Sequence, residues 1–440
     1  MSKLSGFPEF LPADRNAELI VLDHLRSVFE LHGFASVETR AVETMEQLTR
    51  KGEIDKEVYT VRRLHAAEGE TVDVLGLHFD LTVPFARYVV ENAGKLEFPF
   101  RRYQIQKVWR GERPQQGRFR EFTQADIDIV AKDELAFHFD VEIAQVMAEA
   151  LSGLPVPPLT LQVSNRKVLE GFYLGLGLAE PTAVMQVVDK LDKVPADKIA
   201  ELLRTDAGLT PEQATACLAL ADIRTADTSF VERVRALGVD HPMLDQGLDE
   251  LAQVVAACGG IDGVEIVADL RIARGLDYYT GTVFETRMAG HEHLGSICSG
   301  GRYDQLASDG RSTYPGVGIS LGVSRLLVPL VAGGLTADRS VPSAVLVALV
   351  DEDGRADSNA VAQQLRSRGI STEVAASAQK FGKQIRYAER RGIPYVWFPA
   401  TADGAHQVKD IRSGDQADAD LDVWTPPNID LRPRIKEQNA

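Results

Sequence analysis

Cysteine is scarce in this chain. Its three residues, Cys217, Cys258 and Cys298, lie far apart and form no metal-like spacing. An odd, scattered set of thiols suits a reducing cytoplasm. Long apolar runs are missing as well: none approaches the ~20 residues of a membrane span. The start, MSKLSGFPEFLPADR, has no apolar core or cleavage-site pattern, so no secretory signal is expected. Basic charge is in deficit, with a net charge of −16. Taken alone, that argues against nucleic acid, because phosphate contacts supply most non-specific affinity. The deficit is uneven, though, since acidic and basic residues nearly balance from Pro342 onward. Local basic patches can coexist with an acidic whole, so composition permits a nucleic-acid partner without suggesting one. A dinucleotide fingerprint is also lacking: the glycines of YPGVGISLGVSRLLV (residues 314–328) have the wrong spacing.

What is present is an ordinary globular composition, 44% hydrophobic and 25% charged over 440 residues. That length exceeds one compact core, so two or three domains are expected. The chain is organised around residues 100–130, FRRYQIQKVWRGERPQQGRFREFTQADIDIV. Residues 101–110 alternate, with Tyr103, Ile105 and Trp109 on one parity. Residues 114–117, PQQG, have turn chemistry. Residues 119–130 read as a second strand, on which Phe122, Gln124, Asp126 and Asp128 share a parity opposite to Ile127 and Ile129. Alternation alone reads that polar row as the solvated face of an antiparallel sheet. Six arginines, at positions 101, 102, 110, 113, 118 and 120, crowd the hairpin. Guanidinium forks suit phosphate and carboxylate oxygens.

Elsewhere the pattern alternates between classes. Residues 14–32 read as a helix with a cap at Asp14, and residues 34–48 as a strand and a short helix. In LGLHFDLTVPFARYVV (75–90), Asp80 and Thr82 would share a strand face before Pro84, or would cap the helix that follows. Residues 133–152 read as a helix and 159–163 as a strand. Residues 179–260 look almost wholly helical, with Pro195, Pro211 and Pro242 at helix starts. Two strand-like runs flank RGLDYYTG (274–281), where adjacent Tyr278 and Tyr279 suggest a loop or bulge. SGGRYD (299–304) reads as a glycine turn that lets backbone approach a ligand, or as a plain hairpin turn. Residues 332–341 form a linker. Beyond it, strands near 344–350, 372–375 and 395–398 alternate with helices near 360–368 and 382–391, implying a small α/β domain. Lys383, Arg386 and Arg390 fall at helical spacing as a basic stripe, which is usually only a solvated face.

The order Arg110, Glu112, polar loop, Arg118, Phe122 resembles motif 2 of class II aminoacyl-tRNA synthetases. Residues 34–48 match the position of motif 1, with Arg40 where the family usually has proline. Residues 314–328 resemble motif 3, with Ser324 where an acidic residue usually precedes the arginine. RGLDYYTG, FDLTVPFAR (79–87), the Arg110 hairpin, SGGRYD and the Arg325 segment together resemble the histidyl-tRNA synthetase family over nearly the whole chain. The likeness is nearest the sub-group with Asp-Leu-Thr in the first pocket motif.

That resemblance implies an α+β fold: a class II antiparallel-sheet catalytic domain at 1–335, with a helical insertion at about 179–260. A C-terminal α/β anticodon-binding domain follows at 342–440. It implies that Asp80, Thr82 and Gln124 hold the α-ammonium of histidine. Asp128 and Tyr279 would read the imidazole, with Tyr278 lining the pocket. An imidazole donates from one ring nitrogen and accepts at the other, so a carboxylate and a phenol match it. Arg110 would bind the α-phosphate and the substrate carboxylate, Glu112 the adenine, and Arg118 and Arg325 the outer phosphates. Arg274 would stabilise charge growing at the α-phosphate, which makes Arg274 and Arg110 the catalytic pair. Lys383, Arg386 and Arg390 would meet the anticodon arm of tRNA(His). The implied setting is a cytoplasmic homodimer away from membranes, using ATP with Mg²⁺ and holding no permanent metal. A non-catalytic paralogue, such as the regulatory subunit of ATP phosphoribosyltransferase, would share the fold, but the complete arginine set and the C-terminal domain count against it. A class II synthetase for proline or threonine would lack the Arg274 signature.

Overall fold

A computed structural model describes residues 4–49, 57–64, 74–272, 279–305, 307–400 and 404–436. The chain divides into two compact units, Met1–Pro8 with His24–Pro329 and Glu9–Asp23 with Leu330–Ala440. The grouping of Glu9–Asp23 with the C-terminal residues has a local cause. Thr336 Oγ1 donates to Asp14 Oδ1 at 2.8 Å, and Asn16 Nδ2 donates to the Arg339 carbonyl at 3.0 Å. Asp14 therefore lies inside the first turn of the helix Pro12–Leu31 rather than capping it.

The first unit is built on a nine-stranded sheet. Its spatial order is Ala35–Ser36, Phe100–Trp109, Glu121–Val130, Gly316–Gly322, Cys298–Tyr303, Tyr279–Met288, Leu159–Asn165, Val264–Asp269, Arg224–Thr225. The strands from Phe100–Trp109 through Leu159–Asn165 pair antiparallel. Ala35–Ser36 and Val264–Asp269 add in parallel at either side. The hairpin thus forms as its alternation predicts, although no part of its polar row from Gln124 to Asp128 faces water. On the opposite face Ile127, Ile129, Val317, Ile319 and Leu321 are fully buried. The helix His138–Ser152 packs against these strands. Its buried Asp140 accepts from Thr282 Oγ1 at 2.8 Å and from Arg302 Nη1 at 2.7 Å. This helix starts later than expected, because Asp133 sits at φ 65°, outside helical space.

Two further readings are corrected. SGGRYD is a strand in the middle of the sheet, and its glycines serve close packing rather than a turn. A Cβ on Gly300 would stand 2.1 Å from the Gly318 carbonyl oxygen, and one on Gly301 2.7 Å from that of Thr282. Asp80 and Thr82 lie on no strand: the strand ends at Leu77 and the helix Thr82–Asn92 begins after four intervening residues. Asp80 Oδ1 accepts from the Val83 backbone N–H at 3.0 Å, so the capping alternative is the one realised.

The region 179–260 is helical as expected, with Pro195, Pro211 and Pro242 at helix starts and a capping box at Thr210 and Gln213. The exception is Arg224–Thr225, which closes one edge of the sheet. In the second unit a five-stranded sheet runs Thr372–Val374, Val345–Val347, Tyr395–Phe398, Gln407–Asp410, Gln416–Asp418. Its first three strands are parallel and covered on both faces. The last two form an antiparallel edge that the sequence reading missed. Gln416–Asp418 is exposed at every position, so it carries no alternating signal.

Candidate active site

The register of the sheet brings one row of polar residues together. Arg102 pairs with Asp128, and Asp128 with Gly318; Gln104 pairs with Asp126, and Asp126 with Ser320. Directly paired residues project to the same face, so these side chains share a floor. Asp128 is held by two neighbours. Arg102 Nη2 lies 2.7 Å from Asp128 Oδ2, and Tyr303 Oη donates to Oδ1 at 2.8 Å. Arg102 is itself fully buried, and its guanidinium stands 4.2 Å from the centre of the Phe85 ring. It therefore serves as an internal countercharge. Burial and the charge of Asp128 push the Tyr303 phenol well above its usual range, so it stays a donor. Burial also pushes Asp126 up to about 7, against the pull of Arg102 and with help from Asp128 and Asp80. Asp80, Asp126 and Asp128 thus form an acidic patch that Arg102 offsets in part, which suits a cationic ligand group.

Glycines let the side chains of this floor lie close over the neighbouring strands. A Cβ on Gly318 would stand 2.1 Å from Asp128 Oδ1, and one on Gly316 2.5 Å from the Tyr303 ring. A Cβ on Gly301 would come within 3.0 Å of the Tyr279 ring. Tyr279 opens its strand where the register with Cys298–Tyr303 shifts, so the expected bulge is present. Gln124 lies farther along the Asp128 strand, and its Nε2 donates to Ser320 Oγ at 2.8 Å.

Beside the acidic patch lies a cluster of opposite sign. Arg110 Nε donates to the Phe79 carbonyl at 2.9 Å, one residue before Asp80, and its guanidinium lies 5.1 Å from the Phe122 ring centre. Arg118 Nη1 donates to Glu112 Oε2 at 3.1 Å, while Arg110 Nη1 is 3.8 Å from Glu112 Oε1. Arg325 donates through Nε to the Gly117 carbonyl at 2.8 Å and through Nη1 to the Ser296 carbonyl at 2.6 Å. Burial, then the charges of Arg118 and Arg110, push the Arg325 guanidinium below its ordinary value. Arg110 and Arg118 thus face the Glu112 carboxylate, with Arg325 held beside them by carbonyls, an excess of positive charge among the described residues that suits a polyphosphate.

The structure therefore gathers Asp80, Gln124 and Asp128 at one patch and Arg110, Glu112, Arg118 and Arg325 at another. Thr82 sits in the first helical turn after Asp80. Arg274 and Tyr278 lie outside the described residues. Lys383, Arg386 and Arg390 are exposed on the helix Phe381–Arg391 of the second unit. They line a cleft of about 420 Å³ with Tyr387 and Glu389. The sequence reading grouped Arg102 with the phosphate-facing arginines and overlooked Tyr303 and Ser320. The paired register of the hairpin, with Arg102 opposite Asp128, would have set Arg102 apart. The two departures from the family pattern have local partners. Arg40 donates through Nε and Nη2 to the buried Glu43, which also accepts from Arg87. Ser324 Oγ accepts from the Thr123 backbone N–H at 2.9 Å.

Known proteins resemble the chain over almost its whole length. The family model described as histidyl-tRNA synthetase matches residues 6–326, and one described as anticodon binding domain matches residues 344–423. A histidine–tRNA ligase of Cutibacterium acnes is 60% identical, covering 99% of this chain and 98% of that protein. One from Micrococcus luteus is 58% identical over the same shares. The crystal structure of histidyl-tRNA synthetase from Nostoc sp. PCC 7120 is 33% identical, covers 96% of this chain and 97% of that one, and superposes with a TM-score of 0.85. With its fold, its paired acidic and arginine patches and these end-to-end likenesses, the chain belongs to the histidyl-tRNA synthetase family.

Proposed function

We propose that the chain activates L-histidine with ATP to histidyl-adenylate and transfers histidine to the 3′ end of tRNA(His). The observation that carries this reading is the adjacency of two patches of opposite sign, joined where Arg110 bonds the Phe79 carbonyl beside Asp80. Asp80, Thr82 and Gln124 hold the α-ammonium, and Asp128 and Tyr279 take the imidazole, with Tyr278 lining the pocket. A pocket whose buried polar groups match a polar ring rejects apolar isosteres, because they leave those groups unpaired. Arg110 spans the substrate carboxylate and the α-phosphate. Glu112 positions adenine, and Arg118 and Arg325 take the outer phosphates. The histidine carboxylate oxygen attacks the α-phosphorus, the bond to pyrophosphate breaks, and Arg274 offsets the charge that grows there. The 3′-terminal hydroxyl of the tRNA then attacks the acyl carbon and AMP leaves. Positioning and electrostatics supply the rate, with no covalent enzyme intermediate. Mg²⁺ would enter with ATP and offset charge on its phosphates beside Glu112, the carboxylate that faces Arg110 and Arg118.

The second unit, with Lys383, Arg386 and Arg390, meets the anticodon arm. The working form is a cytoplasmic homodimer. Near end-to-end identity with histidine–tRNA ligases favours this activity over a non-catalytic paralogue. Histidine-dependent ATP–pyrophosphate exchange, followed by charging of tRNA(His), tests the reading. Exchange driven equally by proline or threonine, or none with histidine, refutes it.

A further inference from the structure

Beside the acidic patch, three side chains form a file across two strands. Gln124 Nε2 donates to Ser320 Oγ at 2.8 Å, and Ser320 Oγ donates to Asp126 Oδ1. The Gln124 Oε1 atom is buried and has no partner among the described residues. The direction of each bond follows from the chemistry of its members. An ionised carboxylate only accepts, so the Ser320 hydroxyl must spend its one proton on Asp126. Only lone pairs then remain for Gln124, which must offer its NH₂ group to Ser320 and turn its carbonyl away. Without the carboxylate at the end of the file, the hydroxyl could donate to the amide oxygen, and the amide could reverse. A buried carbonyl without a partner is costly unless a donor arrives, and an α-ammonium is such a donor.

We propose that Asp126 and Ser320 are positioning residues that fix the polarity of the Gln124 amide, so that its carbonyl oxygen meets the α-ammonium of the substrate. This rests on the adenylate-forming reading above. Among the described residues, the charged and titratable groups facing Asp126 are Arg102 on one neighbouring strand, Asp128 on its own strand and Asp80 ahead of the helix Thr82–Asn92. Cys298, on the strand beyond Ser320, also feels its charge. Burial is the largest influence and pushes the Asp126 carboxyl up to about 7. Below that pH the carboxyl gains a proton and becomes a donor to Ser320, and the imposed direction is lost. An ammonium bound at Gln124 holds the carboxyl ionised, so histidine binding and Asp126 ionisation reinforce each other.

The test is steady-state pyrophosphate exchange on the full chain at pH 8.0 and pH 6.5 (values roughly either side of Asp126's titration). Ser320→Ala is expected to raise the histidine KM on the order of 10-fold, with the KM for ATP and kcat within about twofold. Ser320→Thr, which keeps the hydroxyl, restores the histidine KM. Asp126→Asn removes the titration, so its histidine KM changes less between the two pH values than that of the wild type, the substrate's own titration being common to both. A histidine KM in Ser320→Ala within about twofold of wild type, or an equal loss for ATP, overturns the relay. If Ser320→Ala does not fold, parallel pH profiles for wild type and Asp126→Asn overturn it instead. Absence of histidine-dependent exchange in the wild type refutes the functional reading, and the relay's substrate role with it. Exchange in the wild type with an unaltered KM in the variants refutes the relay alone.

Discussion

Replacing Arg102 by methionine removes the cation from the acidic patch while keeping much of its contact with Phe85. Arg102 is fully buried and 2.7 Å from Asp128 Oδ2. A pair at about 4 Å in an effective dielectric of about 20 is worth about 4 kcal/mol, and breaking one side of a buried pair costs about 3–5 kcal/mol. The expected loss is therefore about 3–5 kcal/mol at pH 8. The sign of its pH dependence follows from Asp126. Arg102 holds that carboxyl down against burial, so its removal raises the folded-state pKa further above about 7. An acid with a raised folded pKa loses stability from its unfolded pKa up to its folded one, so raising the Asp126 value further extends that loss above pH 7 in the variant alone. The deficit should thus be larger at pH 8 than at pH 6, where Asp126 is protonated with or without Arg102. Amide hydrogen exchange of the strand Glu121–Val130, compared between wild type and Arg102→Met at both pH values, reads this directly. A deficit below about 1 kcal/mol, or one equal at both pH values, would refute the countercharge role.

Asp128→Asn should raise the histidine KM by roughly 10- to 150-fold, the worth of a charge-assisted bond, and leave the KM for ATP nearly unchanged. Equal losses would mean that the Arg102 and Tyr303 contacts had collapsed. Gly318→Ala places a methyl where only 2.1 Å separates it from Asp128 Oδ1. Overpacking of about 1–3 kcal/mol is expected, seen as lost histidine binding in calorimetry. Arg274→Ala should lower the adenylate-forming rate on the order of 10²–10³-fold with an unchanged circular dichroism spectrum, and near-wild-type exchange would sink its assignment. Alanine at Lys383, Arg386 and Arg390 together should lower the salt dependence of tRNA binding by up to roughly three phosphate contacts. An unchanged slope would leave the stripe a solvated helix face.

Much of this was legible in the sequence because periodicity records which faces are apolar. Ile127 and Ile129 announced the covered side of their strand, and the prolines at 195, 211 and 242 announced helix starts. Alternation is blind to what covers the other side. A polar residue at every second position describes a wet face and a buried polar floor equally, so alternation alone leaves the row of Asp126 and Asp128 solvated and only the family resemblance gives Asp128 a ligand. SGGRYD was read as a turn because glycine marks both tight turns and crowded strands, and only the distance between Gly300 and Gly318 separates the two. The role of Arg102 depends on cross-strand register, which its own strand does not encode. Glu9–Asp23 joins the second unit through bonds such as Thr336 to Asp14 that span over three hundred residues, beyond the reach of any local pattern.

The floor of the site has a fixed pitch. Gln124, Asp126 and Asp128 stand on alternate residues of one strand, with Gly318 and Ser320 opposite them on the next. Strand geometry sets about 6.8 Å between such residues and about 4.8 Å between strands. Recognition is thus written on a lattice whose nodes can be relettered but not moved. Substituting one node retunes what the pocket accepts while the sheet stays intact. Inserting or deleting one residue between Gln124 and Asp128 would turn Ile127 and Ile129 toward the substrate and the carboxylates toward the packed side. Selectivity and folding are for that reason tied to the same count of residues, so drift along this strand is confined to exchange of side chains and never extends to its length.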